Sequence, residues 1–403
     1  MTAPSVLLPE PDGTLDHFVP GGRAIPAEPG PPPVTRRALA AAHVVADPLA
    51  DADPVAGARL DWDATLAYRR WLWSLGLGVA EAMDTAQRGT GLGWPLAREL
   101  IRRSAAEAAA CSGWVACGAG TDQLPPGRPA SLDAVEAAYA EQCELVEAAG
   151  GQIVLMASRA LAECARGPDD YARVYAQVLS QVRQPVILHW LGEAFDPQLA
   201  GYWGARDPEP AMAACLDVIK AHAHRVDGVK LSLLDRDLEV EMRRRLPAGV
   251  RMYTGDDFNY PELIRGDGDQ HSDALLGIFD PIAPAAAAAL RALDAGDLER
   301  YEALLGPTLP LARHCFAAPT WAYKTGVVLL AWLNGHQTHF RMVGGAESAR
   351  GMLHLAELFR LADAAGLLRD PELACARMRL LLAVAGIEDQ RPPPGRRPRP
   401  GAQ

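Results

Sequence analysis

Lys230 is the residue whose type and position most directly suggest covalent chemistry. It lies in the apolar segment Val226-Asp227-Gly228-Val229-Lys230-Leu231, where burying an ammonium group carries a high desolvation cost. Burial disfavours the charged amine and lowers its pKa, which is what a lysine needs to attack a carbonyl carbon and form a Schiff base. The alternative is a structural lysine that reaches a carboxylate such as Asp256 as an ion pair. From this residue alone, both interpretations stay open.

Two further residues could transfer protons beside Lys230. His189 follows the apolar segment 185–188, and Asp256 follows the segment 250–254. An imidazole of ordinary pKa can serve as general acid and base near neutral pH. The carboxylate of Asp256, or of its neighbour Asp257, could orient the lysine or bind substrate hydroxyl groups. We therefore predict Lys230, His189 and Asp256 as the catalytic residues.

A wider set of polar and aromatic residues also ends or follows the apolar segments and could line a substrate pocket. The predicted substrate-binding residues are Asp84, Thr85, Arg159, Trp190, Tyr253 and Asp257. Ordinary structural roles compete with this prediction. An arginine is more often a surface or ion-pair residue than an anion ligand, and a tryptophan is as easily explained by packing against helices.

Histidine and carboxylate side chains in the same segments support a second chemistry. His189, Glu193 and His271 are ligands that Zn²⁺, Mn²⁺ or Mg²⁺ accept in metal-dependent barrel enzymes. The alternative function is therefore a divalent-metal-dependent isomerase or lyase acting on a sugar-like substrate, whereas Schiff-base chemistry needs no cofactor. A third possibility is a barrel that binds a metabolite without catalysis, although the number of polar groups at the segment ends argues against it.

The elements that must position these residues alternate along the chain. Short apolar runs bounded by Gly, Pro, Asp or charged residues predict eight buried strands, at 39–45, 77–82, 114–118, 152–157, 185–190, 226–231, 250–254 and 274–279. Amphipathic stretches predict the helices between them. Eight such units predict an α/β fold of the TIM-barrel type, a (β/α)₈ barrel over 37–296, with an open doubly wound sheet as the competitor. Barrel enzymes place their sites at the C-terminal ends of the strands, so the candidate residues should share one mouth.

The flanks of the barrel have patterns of their own. Residues 1–36 predict an N-terminal β-hairpin, with a turn at Pro11-Asp12-Gly13, and a linker rich in Pro and Gly. Residues 297–389 predict a C-terminal helical extension. The tail 390–403 is mostly Pro, Arg and Gly, a composition typical of disorder.

The composition of the chain restricts the classes of partner that the protein could bind. A formal net charge of -11 over 403 residues disfavours nucleic acid and anionic membrane surfaces, both of which attract basic patches. Seven dispersed cysteines without a CxxC pair are typical of reduced thiols in a cytoplasmic protein. We find neither a signal-peptide pattern nor an apolar run long enough to span a bilayer. The expected partner is a small-molecule substrate.

Several short motifs occur in the order and spacing of a known superfamily. They are Leu60-Asp61-Trp62-Asp63 at the first barrel helix, Gly228-Val229-Lys230 at the sixth strand, Gly255-Asp256-Asp257 at the seventh, and Gly296-Asp297, Pro319 and Lys324-Thr325-Gly326 in the helical tail. Through these motifs residues 37–335 resemble the dihydrodipicolinate synthase and N-acetylneuraminate lyase superfamily of class I aldolase-type barrels. Within it, the chain looks most like an uncharacterised bacterial group with a dihydrodipicolinate synthase-like domain of unknown function.

The resemblance implies a Schiff-base-forming lyase, an aldolase or dehydratase, acting on a small oxo or hydroxy acid, sugar-derived acids included. It also implies a homodimer or homotetramer. Two departures stand out. His189-Trp190 replaces the Tyr-Asn pair that usually ends the family's fifth strand, and Met83-Asp84-Thr85-Ala86-Gln87 replaces the Gly-Thr-Thr-Gly-Glu loop that binds a 2-oxo acid carboxylate. Asp84 would repel such a carboxylate.

Overall fold

The computed structural model describes residues 3–50, 58–125, 130–268 and 270–387. Within them the strands are β1 Val6–Pro9, β2 Leu15–Phe18, β3 Ala38–Ala41, β4 Gly78–Glu81, β5 Val115–Ala119, β6 Gln152–Leu155, β7 Val186–Leu191, β8 Val226–Ser232, β9 Arg251–Thr254 and β10 Asp273–Leu276. The α-helices are α1 Trp62–Ser74, α2 Trp94–Cys111, α3 Leu132–Ala149, α4 Arg159–Cys164, α5 Pro168–Gln181, α6 Pro208–Ala221, α7 Arg236–Arg245, α8 Tyr260–Arg265, α9 Ala283–Asp294, α10 Leu298–Leu305, α11 Thr308–Cys315, α12 Tyr323–Leu333, α13 Met352–Ala364 and α14 Pro371–Val384.

Strands β3 to β10 close into an eight-stranded parallel barrel. Each strand pairs with the next along the chain, and β10 returns to β3 through Leu275 opposite Leu39. Alternate side chains point inward, so Leu39 and Ala41 belong to a compact cluster inside the barrel while Ala40 packs outward against the helices. The predicted (β/α)₈ barrel is confirmed, and the open doubly wound sheet is wrong.

The barrel helices begin where the sequence places caps. The side chain of Asp61 accepts a hydrogen bond from Ala64 N at the start of α1, and Ser131 does the same for Ala134 N at the start of α3. Pro168 occupies the first turn of α5, where its missing N–H leaves no partner unsatisfied. The caps and the apolar faces therefore specify the same boundaries.

Two strands end at least three residues before their predicted ends. The strand predicted at 39–45 leaves the ladder after Ala41, and the strand predicted at 274–279 leaves it after Leu276. Within the helical extension, a short 3₁₀ segment, Val343–Ala349, precedes α13. The φ angles of Gly344 and Gly345 are 66° and 72°, a left-handed conformation that interrupts a right-handed helix.

The helices after β10 continue past the barrel, as predicted. Helix α12 is buried along its whole length, and its first residues lie over the carboxyl ends of the barrel strands. The N-terminal hairpin pairs Val6 with Phe18 and packs on the extension, where Phe18 contacts Phe359 edge-on at 5.9 Å. The tail predicted to be disordered lies outside the described residues. Among the described helices, none has the length and hydropathy required to traverse a bilayer.

Candidate active site at the carboxyl end of the barrel

Lys230 projects into the barrel mouth from the middle of β8. It is paired in register with His189 on β7 and with Tyr253 on β9, and it is only 7% exposed. Burial lowers the pKa of Lys230 to about 8, against the opposing charges of Asp257 and Asp84. Among the described residues, no carboxylate oxygen lies within 4.0 Å of its amine. The arrangement therefore gives Lys230 the environment of a nucleophile rather than that of an ion-pair partner.

Gly255 makes room for the lysine side chain. A Cβ atom at this position would lie 2.8 Å from Lys230 Cε and 2.2 Å from Ser232 Oγ. Any larger residue would push the amine out of the mouth. The glycine of the Gly255-Asp256-Asp257 motif, which follows β9, is thus explained by close packing against the lysine.

The distribution of lysines along the chain points to the same place. The sequence contains three lysines, Lys220, Lys230 and Lys324, against thirty-six arginines. Lys220 is exposed near the end of α6, whereas Lys230 and Lys324 are both buried at the barrel mouth. Arginine cannot supply a neutral amine near neutral pH, so the buried positions where lysine is retained are informative.

His189 stands beside Lys230 on the neighbouring strand. Its Nε2 lies 3.1 Å from Ser232 Oγ, its Nδ1 is buried and has no hydrogen-bond partner among the described residues, and the ring is 2% exposed. Burial, with Lys230 as a smaller cause, holds the pKa of His189 well below its usual range. The imidazole is therefore neutral near pH 7, and its Nδ1 has no hydrogen-bond partner among the described residues.

Asp256 and Asp257, the two acidic residues that follow β9, have different surroundings. Asp256 accepts hydrogen bonds from Phe258 N at 2.8 Å, Asn259 N at 3.1 Å and the Asn259 amide at 2.8 Å, all within its own loop. Asp257 accepts one from Ile278 N at 2.8 Å and faces Lys230. Burial raises the pKa of Asp257 to about 7. Asp257 is thus the carboxylate whose charge acts most on Lys230, whereas Asp256 orders the turn before α8.

Asp84 and Thr85 lie at the mouth and contact the helical extension. Asp84 Oδ1 is 2.9 Å from the amine of Lys324, and the hydroxyl of Thr85 is 2.8 Å from that of Tyr323. The turn that carries them is flanked by Ala82 and Gln87, with φ angles of 52° and 62°. Left-handed backbone at non-glycine residues is uncommon and concentrates at functional sites. Helix α12 thus completes the wall of the mouth.

Two predicted substrate-binding residues, Trp190 and Tyr253, point away from the mouth. Trp190 alternates with His189 along β7 and so points outward, where it packs edge-on against Trp203 at 6.3 Å. The ring of Tyr253 lies against Gly228, and its hydroxyl donates to Asp227 at 2.6 Å, toward the amino end of the barrel. The third, Arg159, follows β6 at the carboxyl end of the barrel, where its guanidinium forms a 2.5 Å ion pair with Asp196 and lies next to Gly89.

The predicted metal ligands do not meet. His271 precedes β10 and lies at the amino end of the barrel, whereas His189 is in the mouth at the carboxyl end. Glu193 is exposed on the loop after β7. No group of three or more His, Cys, Asp or Glu residues suited to a metal ion occurs among the residues that the structure describes. The set His189, Glu193 and His271 therefore cannot form one metal site.

The structure brings to the site three residues that were given no role in it from the sequence. Ser232 follows Lys230 by two positions, so strand alternation alone could have placed it in the mouth. Tyr323 and Lys324 belong to a helix nearly a hundred residues further on, and no local pattern predicts their contact with Asp84 and Thr85. Lys324 was noted only within the motif Lys324-Thr325-Gly326, and the scarcity of lysine is a second signal that could have singled it out.

Comparison with known proteins places this arrangement in a family. The family model described as "Protein of unknown function (DUF993)" matches residues 6–387. No curated protein matches the sequence.

Among solved structures the likeness is to dihydrodipicolinate synthases, at low sequence identity. The putative dihydrodipicolinate synthetase from Pseudomonas aeruginosa is 16% identical with a TM-score of 0.61, over 82% of this chain and 99% of that one. The Aquifex aeolicus enzyme is 13% identical with a TM-score of 0.62, over 83% and 100%. The Thermotoga maritima enzyme is 14% identical with a TM-score of 0.61, again over 83% and 100%. The chain therefore belongs to the DUF993 family of proteins of unknown function, and its fold is that of the dihydrodipicolinate synthases.

Proposed function

We propose that the protein is a Schiff-base-forming lyase of the class I aldolase type, with Lys230 as its nucleophile. The observation that carries the proposal is a buried lysine amine of lowered pKa at the carboxyl end of a barrel, without an ion-pair partner among the described residues. The likeness in fold to dihydrodipicolinate synthases supports the same chemistry by analogy. The proposed substrates are small oxo or hydroxy acids, sugar-derived ones included.

The covalent step follows from ordinary imine chemistry. The neutral amine of Lys230 adds to the substrate carbonyl carbon, the carbonyl oxygen leaves as water, and a C=N bond links lysine to substrate. Once protonated, this iminium accepts the electron pair of the bond that breaks next to it, whether C–C in an aldol cleavage or C–H before a dehydration. The protein needs no metal or organic cofactor for either reaction.

We assign the proton transfers of the reaction to the side chains that surround the Lys230 amine. Asp257 shares the buried site with Lys230, and its raised pKa lets it accept and return a proton near neutral pH. His189 is neutral and hydrogen-bonds to Ser232, so its free Nδ1 can accept a proton from, or position, a substrate hydroxyl. In this proposal His189 on β7 takes the place of the tyrosine that the superfamily has there, and Asp257 takes the role predicted for Asp256.

The oligomeric state and the cellular compartment of the protein remain predictions. The expectation of a homodimer or homotetramer comes from the superfamily resemblance, and one of the similar structures is a monomeric dihydrodipicolinate synthase variant. A cytoplasmic location rests on the cysteine pattern alone.

The proposal is tested by replacing Lys230 with arginine in a turnover assay on a panel of oxo and hydroxy acids. Arginine keeps the positive charge but cannot form the imine, so turnover should fall by several orders of magnitude. Lys220→Arg is the matched control, because Lys220 is exposed on α6 and should leave turnover unchanged. Normal turnover by a folded Lys230→Arg protein would rule the proposal out.

A further inference from the structure

We propose that Asp84 receives a hydroxyl group of the substrate close to its reacting carbonyl, and that the substrates are hydroxylated carbonyl compounds rather than 2-oxo acids of the pyruvate type. This inference rests on the proposed Schiff-base function of Lys230 and narrows its substrate class. A carboxylate elsewhere on the molecule, as in a sugar acid, is compatible with it.

The first observation is an unused hydrogen-bond acceptor. Asp84 Oδ1 pairs with the amine of Lys324 at 2.9 Å, whereas Asp84 Oδ2 is buried and has no hydrogen-bond partner among the described residues. Buried carboxylate oxygens in folded proteins almost always accept a hydrogen bond. The neighbouring protein donor is the Tyr323 hydroxyl, whose pKa is raised by burial and by Asp84. The Asp84 side chain stays 26% exposed toward the mouth, where it can accept a further hydrogen bond, and a hydroxyl is the donor that small carbonyl metabolites carry.

The second observation is the charge at this point of the mouth. Lys324 also donates to Trp321 O at 3.1 Å, is 4% exposed, and has its charge balanced by Asp84. The carboxylate of Asp84 is close enough to Lys230 to act on its pKa. A 2-oxo acid bound to Lys230 would therefore bring its own carboxylate toward Asp84, and two anions in a site of low dielectric repel strongly.

The third observation concerns the donors that could bind a carboxylate in this loop. The hydroxyl of Thr85 is engaged with Tyr323 at 2.8 Å, and the side-chain amide of Gln87 donates to Val343 O at 2.9 Å. Both groups are committed to the helical extension. The loop thus offers an acceptor, Asp84 Oδ2, where the superfamily pattern offers hydroxyl donors.

The ion pair also indicates how the preference could be reversed. Asp84→Asn keeps the shape of the side chain, removes the anion and leaves the Lys324 amine without its counter-charge. That amine is then available to a substrate carboxylate. Adding Lys324→Met to Asp84→Asn removes both charges and should abolish any gain for carboxylates.

The experiment uses three carbonyl compounds with one carbon skeleton: acetone, hydroxyacetone and pyruvate. Each is incubated with the full-length protein and borohydride, and the rate of adduct formation on Lys230 is measured by mass spectrometry. The ratio of the hydroxyacetone rate to the pyruvate rate is compared between wild type and Asp84→Asn, so that the intrinsic reactivities of the two ketones cancel. Thermal melting of each variant verifies that it is folded.

We expect the ratio to fall at least tenfold in Asp84→Asn, mainly because pyruvate reacts faster, and the double variant to lose that gain. A ratio that is unchanged or higher in Asp84→Asn would overturn the hydroxyl assignment while trapping on Lys230 still upheld the Schiff-base function. Failure of all three compounds to form an adduct on wild-type Lys230 would overturn the inference together with the function on which it rests.

Discussion

Asp256 and Asp257 are adjacent in sequence, yet they belong to different parts of the molecule. Asp256 holds the backbone of its own loop through Phe258 N and Asn259 N, whereas Asp257 accepts a hydrogen bond from Ile278 N and its charge acts on the pKa of Lys230. Adjacent residues at a strand end face opposite sides of the sheet, and here the inward one meets the lysine. Asp256 therefore stabilises the loop, whereas Asp257 takes part in the proposed chemistry.

Matched substitutions of the two acids should show this separation. Asp257→Asn removes the group that exchanges protons with Lys230 and should lower kcat by roughly 10²–10⁴-fold, with little change in the melting temperature. Asp256→Asn keeps the catalytic groups but weakens the loop, and should lower the free energy of unfolding by about 1 kcal/mol. Steady-state kinetics and denaturant unfolding of both variants check this. A catalytic loss confined to Asp256→Asn would assign the roles the other way round.

His189 should act without titrating in the working range. Its pKa is held well below 6.5 by burial, so the imidazole should show no ionisation near pH 6.5 when the pH is raised from 5 to 8. We expect His189→Asn to lower kcat by about 10²-fold while the shape of the pH–rate profile stays that of the wild type. The measurement is kcat over this pH range for both proteins. An ionisation near pH 6.5 that disappears in the variant would contradict the neutral imidazole.

Lys230 should lower the stability of the protein. Its pKa is about 8 in the folded protein and near 10.5 when exposed, so between these values the unfolded chain binds more protons. The lysine therefore destabilises the fold below pH 8, and this penalty is relieved as the pH rises from 8 to 10.5. Lys230→Met should be more stable than wild type at pH 7 by about 1–3 kcal/mol, because a buried amine is replaced by an apolar chain of similar length.

The measurement is urea unfolding of both proteins between pH 6 and 10.5. The advantage of Lys230→Met should shrink as the pH rises above 8. A Lys230→Met protein that is less stable than wild type at pH 7 would instead mark the lysine as a structural ion-pair partner.

The barrel was predictable because its signals are local and agree with one another. Caps such as Asp61 and Ser131 and short apolar runs indicate the same alternation of strands and helices. The shared position of Lys230 and His189 in one mouth was predictable because strand ends converge there.

The rest of the site depends on geometry that sequence patterns do not contain. Tyr253 faces inward as strand alternation requires, but its side chain leans along the strand to the amino end, where it meets Asp227. The contact of Asp84 with Lys324 joins segments 240 residues apart and follows only from how α12 packs on the barrel.

The central claim, a Schiff base on Lys230, is tested most directly by borohydride trapping followed by peptide mapping. With only three lysines in the chain, a reduced adduct can be located without ambiguity. Alkylation of Lys230 blocks tryptic cleavage there, so residues 226–236 should appear as one peptide carrying the reduced substrate. We predict this adduct on Lys230 in the wild type and none in Lys230→Arg, while Lys220 and Lys324 stay unmodified. Equal labelling of the exposed Lys220, or an adduct that persists in Lys230→Arg, would contradict the account.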